Sequence, residues 1–395
     1  MMQVPTVYLK PGKEQSLKRF HPWIFSGAIK NVKGNLEEGD VVRVHDVHDN
    51  FLAIGHYQIG SIAIRILSFK EEEVDEAFWV RKLQAAWDLR KTLQLAGSET
   101  TTAYRLVHGE GDGLPGLIAD VYDRTVVLQM HTVGMYLQRE VLVKALQQVM
   151  GEQVTAVYEK SEGTLPFKAD VEAENGYLYG RSTTHVAQEN GLQFKVDWEK
   201  GQKTGFFVDQ RENRALLEKY SAGRTVLNTF CYTGGFSFYA LRGGARKVHS
   251  VDSSERAIVL TNENVALNFP GDERHEAFAV DAFKFMEQAR EQYDLIVLDP
   301  PAFAKHMKVL KNALQGYKRL NAKAIEQIAP GGILFTFSCS QVVSRDAFRT
   351  MIFSAAARSG RKVRILHQLE QPADHPVSIY HPEGEYLKGL VLYVE

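Results

Sequence analysis

Five short apolar segments alternate with helical stretches along the chain after Gly223. The segments are RTVLNTF (224–230), KVHSVD (247–252), AFAVD (277–281), DLIVLD (294–299) and GILFTFS (332–338). Strict alternation of apolar strand and helix specifies a parallel sheet, because parallel strands need crossover helices that then cover both faces. The predicted fold class of this part is α/β, a doubly wound, Rossmann-like sheet, with ligands expected at the carboxyl ends of its strands.

The chain before Gly223 has a different pattern, and 395 residues exceed one ordinary core, so two to three domains are expected. Short strands separated by turns predict a small β-barrel: GDVVRVHD (39–46), FLAIGHYQ (51–58) and SIAIRIL (61–67). A helix, the turn-rich HGEGDGLPG (108–116) and further strand and helix signals predict a central α+β module. Asn190-Gly191 between two strand-like runs predicts a hairpin.

The composition is typical of a folded protein, with 44% hydrophobic and 24% charged residues. The first ten residues do not form an apolar signal segment, and no uncharged stretch approaches the ~18 residues of a membrane span. We therefore expect a cytoplasmic protein without a membrane partner. The two cysteines, Cys231 and Cys339, are too few for a disulfide framework or a thiolate metal cluster, so no metal is expected.

Basic and aromatic residues alternate near the start of the chain, where Glu14 is the single acid among them. The basic residues are Lys10, Lys13, Lys18, Arg19, Lys30 and Lys33, and the aromatic residues are Phe20, Trp23 and Phe25. Cations attract phosphates and aromatic rings stack on bases, so this segment favours RNA binding. The alternative is a solvated charged face over core aromatics, and the charges alone do not decide between the two.

The first strand of the α/β part runs into NTFCYTGGF (228–236), a loop without the G-x-G-x-x-G pattern of dinucleotide sites. S-adenosylmethionine has no phosphate and does not need that pattern. Asp252 ends the second strand, where an acid can accept both ribose hydroxyls, and Asp281 ends the third, where it could accept from the adenine amino group. The alternative for either aspartate is a helix cap. The cofactor residues predicted from this pattern are Thr233, Gly234, Gly235, Asp252 and Asp281, the first three because they allow the backbone to approach the amino-acid end of the cofactor.

The fourth strand ends in Asp299-Pro300-Pro301, and the segment after it contains only basic charges up to Ile325. A rigid acid-proline turn can hold its carboxylate and carbonyls beside the cofactor, which methyl transfer needs for near-attack geometry. Asp299 and Pro300 are therefore predicted at the cofactor. The basic segment, in which Lys305 and Lys308 lie nearest the turn, is predicted to contact an RNA backbone. A solvated helix face is the alternative.

Cys339 follows the fifth strand, so it is expected at the same sheet edge as Asp299. Carbon 5 of a pyrimidine becomes nucleophilic once a thiolate has added to carbon 6, so carbon methylation needs such a cysteine, and nitrogen methylation does not. A buried structural cysteine is the alternative, and Cys231, inside the cofactor loop, fits that alternative better.

The motifs together resemble the bacterial large-subunit ribosomal RNA cytosine-5 methyltransferases that carry an N-terminal PUA domain. The matching segments run in order through nearly the whole chain: LKPGKEQSLKRFHPWIFSGAI (9–29), RLVHGEGDGLPGLIADVY (105–122), GQKTGFFVDQRENR (201–214), NTFCYTGGFS (228–237), LDPPAF (298–303), FTFSCS (335–340), ADHPV (373–377) and PEGEYLKG (382–389).

The resemblance implies a PUA RNA-binding barrel over 1–74, a central α+β domain over 75–187 and a class I methyltransferase domain over 188–395 with its hairpin at 186–197. It also implies S-adenosylmethionine as cofactor, held by Asn228, Tyr232 and Ser253 together with the residues predicted above, ribosomal RNA as partner and Cys339 as the covalent nucleophile. Asp209, Gln210 and Arg211 match a motif at the active site. Many related enzymes have a second cysteine where this chain has Pro301, so the base that eliminates the product is open between Asp209 and Asp299.

Three other functions share parts of this pattern. The same fold and cofactor could methylate a guanine nitrogen, in which case Cys339 has no role. A non-catalytic RNA-binding assembly factor would keep the domains and lose cofactor binding. A nicotinamide dehydrogenase is disfavoured because the glycine fingerprint is missing. The target nucleotide, free RNA or ribosomal particle as substrate, and the oligomeric state, a homodimer included, are left open by the sequence.

Overall fold

The computed structural model describes residues 4–166, 171–288, 292–304 and 306–395. These residues form two compact units. Unit 1 comprises the described part of Met1–Gly191 with Val196–Val208 and Ala373–Gly384, and unit 2 comprises Leu192–Lys195, Asp209–Pro372 and Glu385–Glu395. Both predicted N-terminal domains lie in unit 1, and the predicted boundaries at 74/75 and 187/188 remain predictions.

A six-stranded sheet makes up the first part of unit 1, in the order β2-β6-β5-β4-β1-β3. Its strands alternate between buried and more exposed residues, so Val7, Leu9, Val42 and Val44 point into one apolar core, as a small barrel requires. The elements are β1 (Thr6–Leu9), α1 (Gln15–Lys18), β2 (Trp23–Phe25), β3 (Ile29–Lys33), β4 (Val41–His45), β5 (Phe51–Tyr57) and β6 (Ile62–Ser68).

The second part of unit 1 is a five-stranded sheet in the order β11-β10-β9-β8-β7, with helices packed on it. The helix Glu76–Thr92 packs on the sheet through an apolar face on which Trp79, Leu83 and Ala86 are buried. The elements are α2 (Glu76–Thr92), β7 (Ala103–His108), β8 (Leu117–Tyr122), β9 (Thr125–Met130), α3 (Val133–Leu137), α4 (Arg139–Met150), β10 (Ala156–Glu159), β11 (Gly176–Gly180) and β12 (Val186–Glu189).

Arg90 is fully buried and ties three segments of unit 1 together. Its guanidinium donates to both carboxylate oxygens of Asp112, at 2.5 and 2.8 Å, and to the carbonyl oxygens of Arg105 and Asp374, each at 2.7 Å. The Asp374 carboxylate in turn accepts from the Arg105 backbone N–H at 3.0 Å. Arginine suits this place because its fork of donors satisfies several buried acceptors at once. The segment 373–384 is thereby held in unit 1.

Unit 2 contains a seven-stranded sheet in the order β16-β15-β14-β17-β18-β20-β19. The five predicted strands form its parallel part, and β20 pairs antiparallel with both β18 and β19. The elements are β13 (Leu192–Lys195), α5 (Arg211–Tyr220), β14 (Thr225–Thr229), α6 (Gly235–Arg242), β15 (Lys247–Asp252), α7 (Glu255–Asn268), β16 (His275–Ala279), α8 (Ala282–Glu287), β17 (Leu295–Leu298), α9 (Leu310–Gln327), β18 (Gly332–Ser338), α10 (Arg345–Ser359), β19 (Val363–Glu370) and β20 (Lys388–Val394).

The central strands of unit 2 are continuously apolar because helices cover both faces of the sheet. All four residues of β17 and all seven of β18 are buried. Helices α9 and α10 pack side by side over this part of the sheet and share one core with it. This arrangement is the predicted doubly wound sheet, and it brings the ends of β14, β15, β17 and β18 to one edge.

Neither a membrane-spanning helix nor a metal-binding cluster is found in the described part of the chain. No helix there is both long and apolar enough to cross a bilayer. No group of three or more His, Cys, Asp or Glu side chains within the described ranges is placed to hold a metal ion.

We predict that Arg90→Ala lowers the free energy of unfolding by about 3–5 kcal/mol, because it leaves the Asp112 carboxylate buried without its cation. The matched control is Arg81→Ala on the same helix, where an exposed pair with Glu72 is lost and less than about 1 kcal/mol is expected. Denaturant unfolding of both variants measures the difference. Equal losses would show that Arg90 does not have the structural role assigned to it.

Candidate active site

The loop after β14 has a tight backbone that favours close approach of a ligand. Phe230 and Tyr232 have positive φ angles of 56° and 46°, which side chains other than glycine seldom adopt. The Cys231 N–H donates to the Val251 carbonyl at 3.1 Å, and the Tyr232 N–H donates to the Asp252 carboxylate at 3.0 Å. Such strain persists where surrounding contacts enforce it, and it clusters at functional sites.

Asn228 supplies a buried acceptor at the end of β14. Its Nδ2 donates to Ser237 Oγ at 3.0 Å, and its Oδ1 is buried without a hydrogen-bond partner among the described residues. An unsatisfied buried acceptor costs about 1–3 kcal/mol, so such an atom is usually kept for a ligand donor. The amino group of an amino-acid cofactor is a donor of this kind.

Gly234 is packed so closely by its neighbours that no side chain fits at its position. It has φ +85°, and a Cβ added there would lie 2.8 Å from both Phe238 and Thr261. Thr233, Gly234 and Gly235 are all buried, and Gly235 begins α6. Glycine is therefore needed for the backbone to take this path at the start of α6.

The two predicted cofactor aspartates differ in their surroundings. Asp252 accepts from Tyr232 N–H with one oxygen and from Ser254 N–H with the other, at 3.0 and 2.9 Å, so its carboxylate is fixed in the loop, and Ser253 is exposed beside it. Asp281 caps α8 by accepting from Lys284 N–H at 3.0 Å. The cap considered as an alternative is thus formed, and it occupies only one of the two Asp281 oxygens.

Asp299 lies directly after β17, and protein atoms surround its carboxylate although part of the residue surface stays accessible. Burial, and then the nearby charge of Asp209, raise the pKa of Asp299 to about 7. A hydrogen bond from Gln210 and the charge of Arg214 act in the opposite direction. A carboxyl group with this pKa exchanges a proton near neutral pH, as a general acid or base must.

Cys339 lies at the same edge, directly after β18. Its Sγ is 4.0 Å from the Pro300 carbonyl oxygen. Burial, together with the charges of Asp299 and Asp209, raises the pKa of this thiol to about 12, and Lys388 acts to lower it. Cys231, by contrast, is inside the loop after β14 with Sγ 3.8 Å from Thr261 Oγ1, and burial raises its pKa to about 12. The structure therefore places Cys339, and not Cys231, beside Asp299.

Two residues at this edge were absent from the sequence predictions. Lys388 is buried and pairs in register with Ser338; its Nζ donates to the Ser340 carbonyl at 2.7 Å, and burial lowers its pKa to about 8. Tyr386 donates its hydroxyl to Asp209 Oδ2 at 2.6 Å. Both belong to the PEGEYLKG motif, which was the sequence signal that could have identified them. Their partners are more than forty residues away in the sequence, so the motif alone did not show these contacts.

The residues predicted to contact RNA are divided between the two units. Lys10, Lys18 and Arg19 are exposed in unit 1; Lys10 donates to the Gly27 carbonyl and Lys18 pairs with Glu14. In unit 2, Gln210 and Arg211 are buried, whereas Lys308 is exposed in a short 3-10 turn, Met307–Val309. Lys305 lies outside the described residues. Their roles remain predictions, and the burial of Gln210 and Arg211 favours positioning Asp299 and α5 over direct RNA contact.

Comparison with known proteins defines the class. Residues 104–390 match the family described as S-adenosylmethionine-dependent methyltransferase, and residues 7–69 match the PUA-like domain. Over its full length the chain is similar to the solved methyltransferase SMU.776, crystallised with SAH, at 27% identity with a TM-score of 0.84 and 100% of each chain covered. The protein is an S-adenosylmethionine-dependent methyltransferase that carries a PUA-like domain.

Curated relatives narrow the family. Ribosomal RNA large subunit methyltransferase I of Aeromonas hydrophila is 41% identical over 395 residues, covering 98% of each chain, and the protein of that name from Tolumonas auensis is 41% identical with the same coverage. The chain belongs to the family of ribosomal RNA large subunit methyltransferase I. These comparisons confirm the predicted fold class, cofactor and family resemblance.

We predict that Gly234→Ala weakens binding of S-adenosylhomocysteine by about tenfold or more, because the new Cβ meets Phe238 and Thr261 in the loop. Gly244→Ala is the matched control: its φ of +82° gives the same backbone strain, and its Cβ would meet nothing closer than 3.8 Å. Isothermal titration calorimetry measures both. A similar loss in the two variants would assign the effect to strain alone.

Proposed function

We propose that this protein transfers a methyl group from S-adenosylmethionine to carbon 5 of a cytosine in large-subunit ribosomal RNA, through a covalent bond to Cys339. The observation that carries the proposal is the position of Cys339 Sγ, 4.0 Å from the Pro300 carbonyl and beside Asp299 at the cofactor edge of the sheet. The name of the curated relatives supports ribosomal RNA as the substrate.

The loop after β14 fits the cofactor. S-adenosylmethionine supplies an electrophilic methyl group on a positively charged sulfur when it is bound. Asn228 Oδ1 is the unpartnered acceptor for its amino group, the backbone at Gly234 and Gly235 lies next to its amino-acid end, and the Asp252 carboxylate binds its ribose. Tyr232, Thr233, Ser253, Asp281, Asp299 and Pro300 complete the proposed cofactor residues.

Cys339 makes carbon 5 reactive. The thiolate adds to carbon 6 of cytosine, the carbon 5–carbon 6 double bond opens, and carbon 5 uses that electron pair to bond the methyl group. The bond between the methyl group and the cofactor sulfur would break in the same step, with its electron pair left on the sulfur of S-adenosylhomocysteine. The proton on carbon 5 must then leave. Its electrons re-form the double bond, and the bond from carbon 6 to sulfur breaks, which returns the Cys339 thiolate.

Ionisation of Cys339 depends on the neighbouring charges. Two carboxylates and burial raise its pKa to about 12, so the thiol is protonated at neutral pH in the cofactor-free protein. Asp299 takes the proton that leaves the thiol, which removes one of those negative charges, and it passes this proton to solvent before it acts as a base again. Lys388 and the bound sulfonium add positive charge. The Cys339 thiolate therefore forms only when the cofactor is bound.

Asp299 is the proposed base for the final elimination. Its pKa of about 7 matches a base that works near neutral pH, whereas the Asp209 carboxylate already accepts a hydrogen bond from Tyr386. With a proline at position 301 no second cysteine is available at that place. Asp299 thus carries out the step for which related enzymes use that cysteine.

We predict that Cys339→Ala abolishes formation of 5-methylcytosine in large-subunit ribosomal RNA, while Cys231→Ala retains it. Nucleoside analysis by mass spectrometry after incubation with S-adenosylmethionine gives the product. Transcripts containing 5-fluorocytidine add a second readout: fluorine cannot leave as a cation, so the wild-type protein should form a covalent RNA adduct that Cys339→Ala does not form. Full activity of Cys339→Ala, or a methylated guanine as the product, would refute the proposal.

We predict that Asp299→Asn accumulates the covalent RNA adduct on unmodified substrate. In the wild-type protein, release of methylated RNA should fall about tenfold per pH unit below pH 7, because the base is active only when ionised and its pKa is about 7. The variant should lose this pH dependence. Single-turnover release assays between pH 5.5 and 8.5 measure both, with Asp209→Asn as the comparison; normal release by Asp299→Asn would exclude Asp299.

A further inference from the structure

Unit 1 contains an open cavity of about 590 Å³ that no part of the proposed mechanism uses. Its walls come from the end of β6 and the following turn, from α2, from the Gly111–Gly113 turn, and from the segment 373–384, which contributes Ser378 and Tyr380. Phe20, which follows α1, completes the lining. The volume is within the ~300–1,000 Å³ of ordinary ligand pockets.

Phe20 occupies a backbone position that normally belongs to glycine. After α1 the Phe20 N–H donates to the Leu17 carbonyl and the His21 N–H donates to the Ser16 carbonyl, which is the Schellman ending of a helix. The residue at this place is left-handed, and Phe20 has φ 62°. Glycine would take this conformation without strain, whereas a phenylalanine costs about 1 kcal/mol there. The side chain must offset that cost elsewhere.

Packing alone does not account for Phe20, because 49% of its surface is exposed. Its ring lies 5.3 Å from the rings of both Phe69 and Tyr380, and Tyr380 is itself 52% exposed. Two half-exposed aromatic rings in contact on the wall of a cavity form a stacking platform. Trp23 belongs to the same basic and aromatic segment but has a protein partner, because its indole N–H donates to Glu110 at 2.7 Å.

Cations without protein partners line the same cavity. The side-chain ammonium groups of Lys82 and Lys70 make no ion pair or hydrogen bond among the described residues, and the Lys82 ammonium lies 5.5 Å from the Phe78 ring centroid. The two acids of the lining are engaged: Glu72 pairs with Arg81 and accepts from Ser68, and Glu110 accepts from Trp23. The charge inside the cavity that no opposite charge neutralises is therefore positive.

The segment that carries Tyr380 is held in place before any ligand arrives. Asp374 is bound by Arg90 and Arg105, as described above, and Gly111 approaches the Pro376 carbonyl so closely that a Cβ on Gly111 would lie 1.8 Å from it. A platform that is ordered in advance loses little entropy when it binds.

We infer that this cavity binds one unpaired nucleotide of the RNA substrate, its base packed against the exposed rings of Phe20 and Tyr380, which are tilted by 52° to each other, and its phosphate beside Lys82. The inference rests on the proposed function in so far as that function makes RNA the substrate. An unpaired nucleotide fits because it offers both a free aromatic face and an anion, whereas a duplex hides the faces of its bases. An acidic peptide would pair with the lysines, but it would not account for the aromatic platform.

The test measures RNA affinity of the full-length protein with two probes: a single-stranded oligoribonucleotide of about ten residues that contains 2-aminopurine, and a transcript of large-subunit ribosomal RNA. We expect Phe20→Ala and Tyr380→Ala each to weaken binding of the oligonucleotide by about fivefold to a hundredfold and to abolish the quenching of 2-aminopurine that stacking causes. Phe20→Tyr and Tyr380→Phe, which keep the ring, should retain both. Lys82→Met should lower the slope of log K against log salt by about 0.7.

Phe353→Ala is the matched control, since Phe353 is 71% exposed on α10 and does not line the cavity. S-adenosylhomocysteine affinity, measured in every variant, verifies that the protein is folded. Unchanged RNA affinity in Phe20→Ala and Tyr380→Ala overturns the inference and leaves the proposed function intact. Wild-type protein that binds and methylates neither RNA probe would instead refute the proposed function. Equal binding of the base-paired form of the oligonucleotide also overturns the inference, because stacking needs a free base.

Discussion

Several groups that can carry a negative charge lie close together in the active site, and the other features of the site depend on how that charge is limited. Asp299, Asp209 and Cys339 are each ionisable to an anion, and burial at the strand ends makes a full set of charges unfavourable. Neutral hydrogen-bond donors and a buried ammonium group offset this charge. Gln210 donates to Asp299, Tyr386 donates to Asp209, and Lys388 supplies the ammonium. Which groups are charged therefore depends on what is bound, and that dependence is what an addition–elimination reaction requires.

Strand register determines which atoms share this space. Leu298 pairs with Thr336 and Ser338 pairs with Lys388, so the residues after β17, the residues after β18 and the first residue of β20 converge at one edge. A shift of one residue in any of these pairings would turn the following side chains to the opposite face of the sheet. The antiparallel β20 is as important here as the parallel strands, because it alone brings Lys388 and the nearby Tyr386 to the edge.

In unit 1 the equivalent organising contact is the buried Arg90. It joins α2 to the turn at Asp112, to β7 and to the backbone of Asp374, which fixes the segment 373–384. The ADHPV motif thus has a structural explanation, and the exposed side of the same segment presents Tyr380 next to Phe20. The buried side of this short segment is held by Arg90 and Arg105, and its exposed side carries Tyr380, so losing the buried contacts would also misplace the aromatic platform.

The sequence by itself predicted the parallel sheet, a cofactor loop after its first strand and the position of Cys339, rather than Cys231, at the sheet edge with Asp299, because these follow from local periodicity and from the rule that parallel strands present their carboxyl ends together. It also contained the Asp281 helix cap as an alternative. Only the tertiary structure determined the surroundings of each group. Burial raises the pKa of Asp299 to about 7, Gln210 and Arg211 are buried, and Lys388 faces the loop after β18. Desolvation and contacts between segments distant in the chain set these properties, and neither leaves a local pattern in the sequence.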